Sequence, residues 1–259
     1  MNILETIAEY AKERVSIDKE NVPFEEIKKQ ALALPRGDLP FEKALKKDGM
    51  SFICECKKAS PSKGIIAEEF PYLEIAIEYE KAGADAISVL TEPKWFLGDK
   101  RYLEEIAGAV KIPVLRKDFT VDEYMIYEAK VLGASAVLLI VAILDIESLK
   151  RYLKICDELG LSALVECHDE KEIETAVSAG ARTIGVNNRN LKDFSVDIGL
   201  GEKLLDCIPE DVIFVSESGV KGPEDTARMR QMGADAALVG EALMRAEDKK
   251  EMLKSLRGM

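Results

Sequence analysis

Glu55 and Lys57 stand two residues apart in Ser51-Phe-Ile-Cys-Glu-Cys-Lys57, a stretch of strand character. Side chains alternate along an extended chain, so the two charges share one face while Phe52, Cys54 and Cys56 share the other. The apolar face belongs under helices. That sends the charged pair into an interior, where a charge is costly unless it is paired or used. Other strand-like stretches end in the same way: Ile112-Pro-Val-Leu-Arg-Lys117, with Arg116 and Asp118 facing away from Lys117, and Leu161-Ser-Ala-Leu-Val-Glu166. Asn187 closes a third, with Arg189 two residues on, and Ser216-Glu217-Ser218-Gly219 closes a fourth. An ammonium and a carboxylate held together away from bulk water can exchange protons with a substrate, and a fixed cation stabilises an oxygen that becomes negative as bonds change. A rim ion pair accounts for any one of these residues alone. Glu55, Lys57, Lys117, Glu166 and Asn187 delivered to one mouth call for a ligand that they share.

Two further places fit an anion. Ser218-Gly219 and Gly240-Glu241 each follow a strand, where a turn can present backbone N–H groups and a helix amino end to a phosphate, although both glycines also suit plain tight turns. Trp95 and Phe96 lie in a loop on the same side and are expected to form an aromatic wall for a substrate ring. His168, the one histidine, is expected to be a polar residue at a helix start rather than a catalyst. The five cysteines, Cys54, Cys56, Cys156, Cys167 and Cys207, have no CxxC pair and no histidine at ligand spacing, so neither a zinc site nor a disulfide framework is expected. No metal or other cofactor is expected.

The elements that must position these residues are written in a repeat. Gly83-Ala-Asp-Ala-Ile-Ser-Val-Leu90, Gly133-Ala-Ser-Ala-Val-Leu-Leu-Ile140, Gly180-Ala-Arg-Thr-Ile-Gly-Val-Asn187 and Gly233-Ala-Asp-Ala-Ala-Leu-Val-Gly240 each read as a glycine helix stop running into a strand covered on both faces. They alternate with the stretches ending at Lys117 and Glu166 and with Asp211-Val-Ile-Phe-Val-Ser216; Ser51 to Lys57 at the front makes eight. Amphipathic stretches lie between, such as Leu73, Ile77, Glu80 and Ala84, or Leu149, Leu153, Cys156 and Leu159. Eight strand–helix units predict an α/β fold, a closed (β/α)8 TIM barrel with chemistry at the carboxyl ends of its strands. An open doubly wound sheet is the rival, but Glu55-Cys-Lys-Lys-Ala-Ser-Pro61 is not the glycine-rich nucleotide loop expected after its first strand. Residues 1–48 are expected to be a helical extension packed on a single barrel domain spanning 1–259. It has one helix carrying Ile3, Ile7, Ala11 and Val15, a turn-rich link Pro35-Arg-Gly-Asp-Leu-Pro40, and a shorter helix around Phe41 to Lys47.

Composition narrows the partners. A net charge of -12 excludes bulk attraction to nucleic acid, so an anionic guest must meet a local positive site. Glu5 and Glu9 interrupt what a signal peptide would need, and the longest apolar run, Ala136 to Leu144, is far shorter than the ~20 residues that cross a bilayer. A cytoplasmic monomer acting on a small phosphorylated molecule is the expectation.

The string Glu55-Cys-Lys-Lys-Ala-Ser-Pro-Ser-Lys-Gly64 resembles the signature of the indole-3-glycerol phosphate synthase family. Further matches follow in order along essentially the whole chain: Leu115-Arg-Lys-Asp-Phe119, Leu164-Val-Glu-Cys-His168, Gly185-Val-Asn-Asn-Arg-Asn-Leu191, Ser216-Glu-Ser-Gly219 and Gly240-Glu-Ala-Leu-Met244. The resemblance implies ring closure of 1-(2-carboxyphenylamino)-1-deoxyribulose 5-phosphate with loss of carbon dioxide and water. It implies that Lys117 is the general acid toward the ketone and Glu166 a second acid–base residue, with Glu55 and Lys57 completing the set. It also implies that Asn187 and Arg189 hold polar groups, that Ser60, Lys57, Gly219, Gly240 and Glu241 surround the phosphate, and that Phe96, Phe119, Glu217 and Ser218 belong to the substrate site. Asp99, where many members have serine, and the acidic Glu241 depart from the usual pattern and favour backbone N–H groups as the phosphate donors. A phosphoribosyl isomerase would share the glycine repeats but has no need of the Glu-x-Lys strand. A non-catalytic phosphate-binding barrel would not need the acid–base set.

Overall fold

A computed structural model describes residues 2–190 and 195–259. Eight parallel strands close into a barrel: β1 (Ser51–Cys56), β4 (Ala86–Leu90), β5 (Val114–Lys117), β6 (Ala136–Ile140), β7 (Ser162–Cys167), β8 (Thr183–Asn187), β9 (Ile213–Glu217) and β10 (Ala236–Val239). Six fall within the stretches read from sequence, and β7 and β9 each run one residue past theirs, to Cys167 and Glu217. The loop after β1 adds a small antiparallel hairpin, β2 (Ala59–Ser60) with β3 (Gly64–Ile65), which the sequence reading lacked.

The surrounding helices are α4 (Tyr72–Ala82), α5 (Lys100–Ala109), α6 (Glu123–Val131), α7 (Ile146–Leu159), α8 (Glu170–Ala179), α9 (Leu200–Leu204), α10 (Pro223–Gln231), α11 (Glu241–Arg245) and α12 (Lys249–Arg257). Gly83, Gly160 and Gly180 end α4, α7 and α8 in the left-handed conformation that favours glycine. In α4 the buried stripe is Ile75, Ala76 and Tyr79, one position round from the expected Leu73 and Ile77, which are only partly buried. Tyr79, the largest of these, is fully buried. In α7, Leu149, Cys156 and Leu159 are buried as expected, whereas Leu153 is only partly so.

Alternation along the strands separates two cores. Phe52, Cys54 and Cys56 pack outward under the helices, whereas Ile53, Leu115, Leu164, Ile213 and Val215 fill the barrel. Two residues further along the same inward rows stand Glu55, Lys117, Glu166 and Glu217. The polar layer is therefore the next tier above an apolar plug.

Three helices precede β1: α1 (Ile3–Asn21), α2 (Phe24–Ala33) and α3 (Pro40–Leu45). The reading of one helix and then a shorter one omitted α2, which packs on α6 through Ile27 and Ala31, too few apolar positions to stand out. Phe41 and Leu45 of α3 join the interior core, and Ser51 at the start of β1 donates to Ala44 O, so α3 closes the amino ends of the strands. The link before it runs tightly over the barrel: a Cβ on either Gly37 or Gly160 would overlap the other residue's backbone.

At the opposite end, α1 is fastened by charge. Its Arg14 donates to both oxygens of buried Asp118 at 2.8 and 3.2 Å, and Asp118 also accepts from Thr91 Oγ1 at 2.6 Å. Arg116, buried two residues away, donates to Met125 O and pairs with Glu128. Arg116 and Asp118 face away from the barrel, as alternation requires, and lock both flanks of Lys117 while leaving its own side chain to the interior. Arg14, Arg116 and the Thr91 hydroxyl hold the Asp118 carboxyl below the usual carboxylate range even though burial acts to raise it. Among the described residues no helix is long and apolar enough to cross a membrane.

Candidate active site

A cavity of about 460 Å³ opens at the carboxyl ends of the strands. Of the residues predicted for the site, Glu55, Lys57, Ser60, Phe96, Lys117, Phe119, Glu166, Asn187, Arg189, Ser218, Gly219, Gly240 and Glu241 line it, and Glu217 and Trp95 do not. Glu217 lies immediately beneath, buried and bonded to Lys117. Leu191, the last residue of one quoted motif, lies outside the described residues.

Lys117 is the hub. Its Nζ donates to Glu217 Oε2 at 2.7 Å and stands 3.8 Å from Glu166 Oε2 and 4.0 Å from Glu55 Oε2. Glu55 turns its other oxygen to Lys57 Nζ at 2.5 Å, and Glu166 accepts from Asn187 Nδ2 at 3.2 Å. Strand register explains the meeting. Glu166 pairs across the sheet with Gly185, and Asn187 with Glu217, so residues distant in sequence occupy one tier. Gly185 is required here, because a Cβ on it would overlap the Glu217 carboxylate.

The titrations follow from this packing. Burial alone would drive the Lys117 proton off, but Glu217, Glu55 and Glu166 more than reverse it and raise the ammonium above its ordinary value. Burial acts to raise Glu55 as well, and Lys57 with Lys117 outweigh it and hold the carboxyl below the usual range. Glu217 goes the other way: burial and the nearby Glu166 and Glu55 outweigh its bond to Lys117 and push it up to about 7. Glu166 is held low, its burial offset by His168, Lys117 and Asn187. Two carboxylates at one cation thus differ in proton affinity, the condition under which one keeps a proton near neutrality while the other stays ionised.

The turns after β9 and β10, expected to hold the anion, are shaped by backbone conformation. Ser218 and Gly219 have φ of 67° and 96°, and a non-glycine residue in the left-handed region is strained. Asn188, buried beside them, stabilises that turn by donating to Ser216 Oγ at 3.1 Å and Ser218 O at 3.2 Å. A Cβ on Gly240 would come within 2.9 Å of Lys57 Nζ and 2.7 Å of Glu55 Oε1, so a larger residue there would displace this ion pair from its present place. The Glu241 side chain pairs with Arg245 at 3.1 Å and Lys63 at 3.8 Å. Asp99, the other departure, is the N-cap of α5 and accepts from Arg101 N.

The apolar wall needs one correction. Phe96 and Phe119 face each other across 6.2 Å, but Trp95 is turned out of the cavity against Tyr10 of α1, edge to face at 5.4 Å. Its place is taken by Ile3, Leu4 and Ile7, an amphipathic face of α1 that the sequence showed without revealing what it covers. Glu92 was also missed. Buried just past β4, it accepts from the N–H groups of Lys94, Trp95 and Phe96 and so shapes the loop that presents Phe96. Its position beyond a strand's carboxyl end was the available signal.

His168 lies in the bend between β7 and Asp169, the N-cap of α8, rather than at the helix start, and it is not remote from the chemistry: its Nε2 lies 3.3 Å from Glu166 Oε1. Among the described residues no group of three His, Cys, Asp or Glu side chains is arranged to hold a metal ion.

Comparison with known proteins agrees with this geometry. Residues 4–256 match the family model described as indole-3-glycerol phosphate synthase. Curated relatives of that name include those of Ruminiclostridium cellulolyticum, 54% identical over 99% of both chains, and Endomicrobium trichonymphae, 52% identical over 98% of this chain and 99% of the relative. Among solved structures, a 3-hexulose-6-phosphate synthase superposes with a TM-score of 0.64 at 19% identity, covering 81% of this chain and 99% of the other. A thiamine phosphate pyrophosphorylase from Pyrococcus furiosus gives 0.61 at 16%, covering 81% and 94%; at such identities these two establish the barrel alone. With the whole span matched and the charged tier assembled at the mouth of the barrel, the chain belongs to the indole-3-glycerol phosphate synthase family.

Proposed function

We propose that this cavity closes the five-membered ring of 1-(2-carboxyphenylamino)-1-deoxyribulose 5-phosphate, with loss of carbon dioxide and water, by proton transfers among Lys117, Glu166, Glu55 and Lys57. The observation that carries the reading is the single ammonium of Lys117 within ion-pair reach of three buried carboxylates. The aryl carbon attacks the ketone, and Lys117 supplies the proton that the oxygen gains as it becomes a hydroxyl. Loss of carbon dioxide from that aryl carbon returns its electron pair to the ring. Departure of the hydroxyl as water takes a second proton, and a carboxylate removes one from the adjacent ring CH2. The sum is one proton taken up per turnover, and a site in which carboxyls of different affinity surround a cation is suited to that traffic.

Binding follows the same division. The phosphate sits at the Ser218-Gly219 turn and the amide end of α11, assisted by Lys57 and Ser60, while the aromatic ring lies against the wall that Phe96 and Phe119 form under α1. Arg189 and Asn187 hold polar groups of the substrate. The net charge of -12 leaves a small anionic phosphate ester to be held by the local cations of the site, and we take the protein to act as a cytoplasmic monomer on it.

Incubation of the purified protein with the anilino-deoxyribulose phosphate should yield a product with indole fluorescence, and a metal chelator should leave the rate unchanged. Absence of that product, or a rate that falls with the chelator and returns with added metal, would remove the mechanism.

A further inference from the structure

Glu166 carries a second set of contacts that leads away from the substrate. His168 follows it by two residues, where β7 leaves the barrel, and the imidazole lies between two carboxylates. Nε2 stands 3.3 Å from Glu166 Oε1, and Nδ1 lies 3.0 Å from Glu172 Oε2. Glu172 is itself fixed in the first turn of α8: its N–H is capped by Asp169 at 2.9 Å, and its carboxylate accepts the His168 backbone N–H at 2.7 Å. His168 does not line the cavity. Its side chain is 18% exposed against 5% for Glu166, so it approaches the catalytic carboxylate from behind.

We propose that His168, held as an imidazolium by Glu172, is a positioning residue that keeps Glu166 ionised and aims it at Lys117. This rests on the acid–base role given above to Glu166. The charged groups facing Glu166 are Lys117 at 3.8 Å and His168, with neutral Asn187 on the oxygen shared with His168 and with Glu217 and Glu55 beyond Lys117; those facing His168 are Glu166 and Glu172. Burial acts to lower the imidazole's proton affinity, but the two carboxylates reverse it and carry it from an ordinary 6.5 up to about 10. The sign for Glu166 follows. Its burial is opposed first by His168 and then by Lys117, so removing the imidazolium raises the carboxyl and reduces its ionised fraction as the pH falls. By linkage, removing the Glu166 charge must lower the His168 proton affinity to the same degree.

The chain contains one histidine, so its imidazole resonances can be followed by NMR without assignment and without activity. We expect His168 to remain protonated past pH 8 in the wild type and to titrate at least one pH unit lower in Glu166→Gln and in Glu172→Gln. In His168→Gln, kcat should stay within about threefold of wild type at pH 8 and fall at least tenfold further by pH 5.5, as an acid limb moves upward. A wild-type imidazole titrating near its ordinary value, or one unmoved by Glu166→Gln, would overturn the proposal even if His168→Gln did not fold. A His168→Gln loss equal at every pH would overturn it as well, since that is what a purely structural role gives. An enzyme that closes no ring would count against the proposed function alone, because the NMR cycle would still be readable.

Discussion

Lys117→Ala is expected to lower kcat on the anilino-deoxyribulose phosphate by roughly 10³-fold or more, with the fold retained by circular dichroism. General acid catalysis contributes about 10²–10⁴-fold, and a fixed cation at a developing oxyanion contributes on its own account, so one side chain that serves both roles takes most of the rate with it. The change also leaves Glu55, Glu166 and Glu217 without the cation they share. Lys57 still pairs with Glu55 and His168 with Glu166, but Glu217 loses its one ion-pair partner and is relieved by protonation, so the variant should gain thermal stability as the pH is lowered from 8 to 6. In the wild type the same sense holds more weakly. Glu217 has its folded value raised, so its contribution is fully present below its ordinary 4.5 and is lost as the pH rises through about 7. A Lys117→Ala enzyme with normal turnover, or one whose stability falls on acidification over that range, would contradict this account of the hub.

Glu166→Gln should cost kcat about 10²–10⁴-fold. Glutamine can keep the hydrogen-bonding shape beside Asn187 but cannot take a proton from the ring carbon. The loss should be nearly constant between pH 6 and 9, because the wild-type carboxyl is held low by His168, Lys117 and Asn187 against its burial and is ionised throughout that window. A variant whose deficit disappeared at one end of the range would mean that Glu166 acts in its protonated form, and the roles of Glu166 and Glu217 would have to be exchanged. Rates measured across pH at saturating substrate make the distinction.

Much of this arrangement was legible before any coordinates, for a physical reason. A β-strand has a period of two, so once Ile53, Leu115, Leu164 and Val215 are understood as interior, Glu55, Lys117, Glu166 and Glu217 must follow them inward, and a barrel makes their strand ends converge. What escaped depends on packing between elements that no local period encodes. The α1 stripe of Ile3, Ile7 and Ala11 predicted a buried face but not that its first turns would roof the cavity. Trp95 and Phe96 were indistinguishable as loop aromatics, and only the turn held by Glu92 sends one inward and the other against Tyr10. His168 was judged as an isolated residue, when its meaning lies in a carboxylate two residues before it and another four residues after.

The resemblance supplied the substrate, which the charge pattern alone could not. Two lysines, two glutamates and an asparagine at a barrel mouth describe proton transfer around an anion, and many substrates satisfy that. The turn at Ser218-Gly219 and the bare Gly240 narrow the anion to something that backbone N–H groups can hold. Phe96 and Phe119 add a flat apolar partner. Together they fit a molecule with a phosphate at one end, a carboxyl-bearing aromatic ring at the other and a ketone between.

A crystal structure with an unreactive analogue, its ketone reduced to an alcohol, bears most directly on the claim that one ammonium among three carboxylates performs the ring closure. The account predicts the alcohol oxygen within about 3 Å of Lys117 Nζ, the phosphate on the Ser218-Gly219 and Gly240 amides, and the ring against Phe96 and Phe119. An analogue bound with its oxygen far from Lys117, or with its phosphate outside that turn, would contradict it.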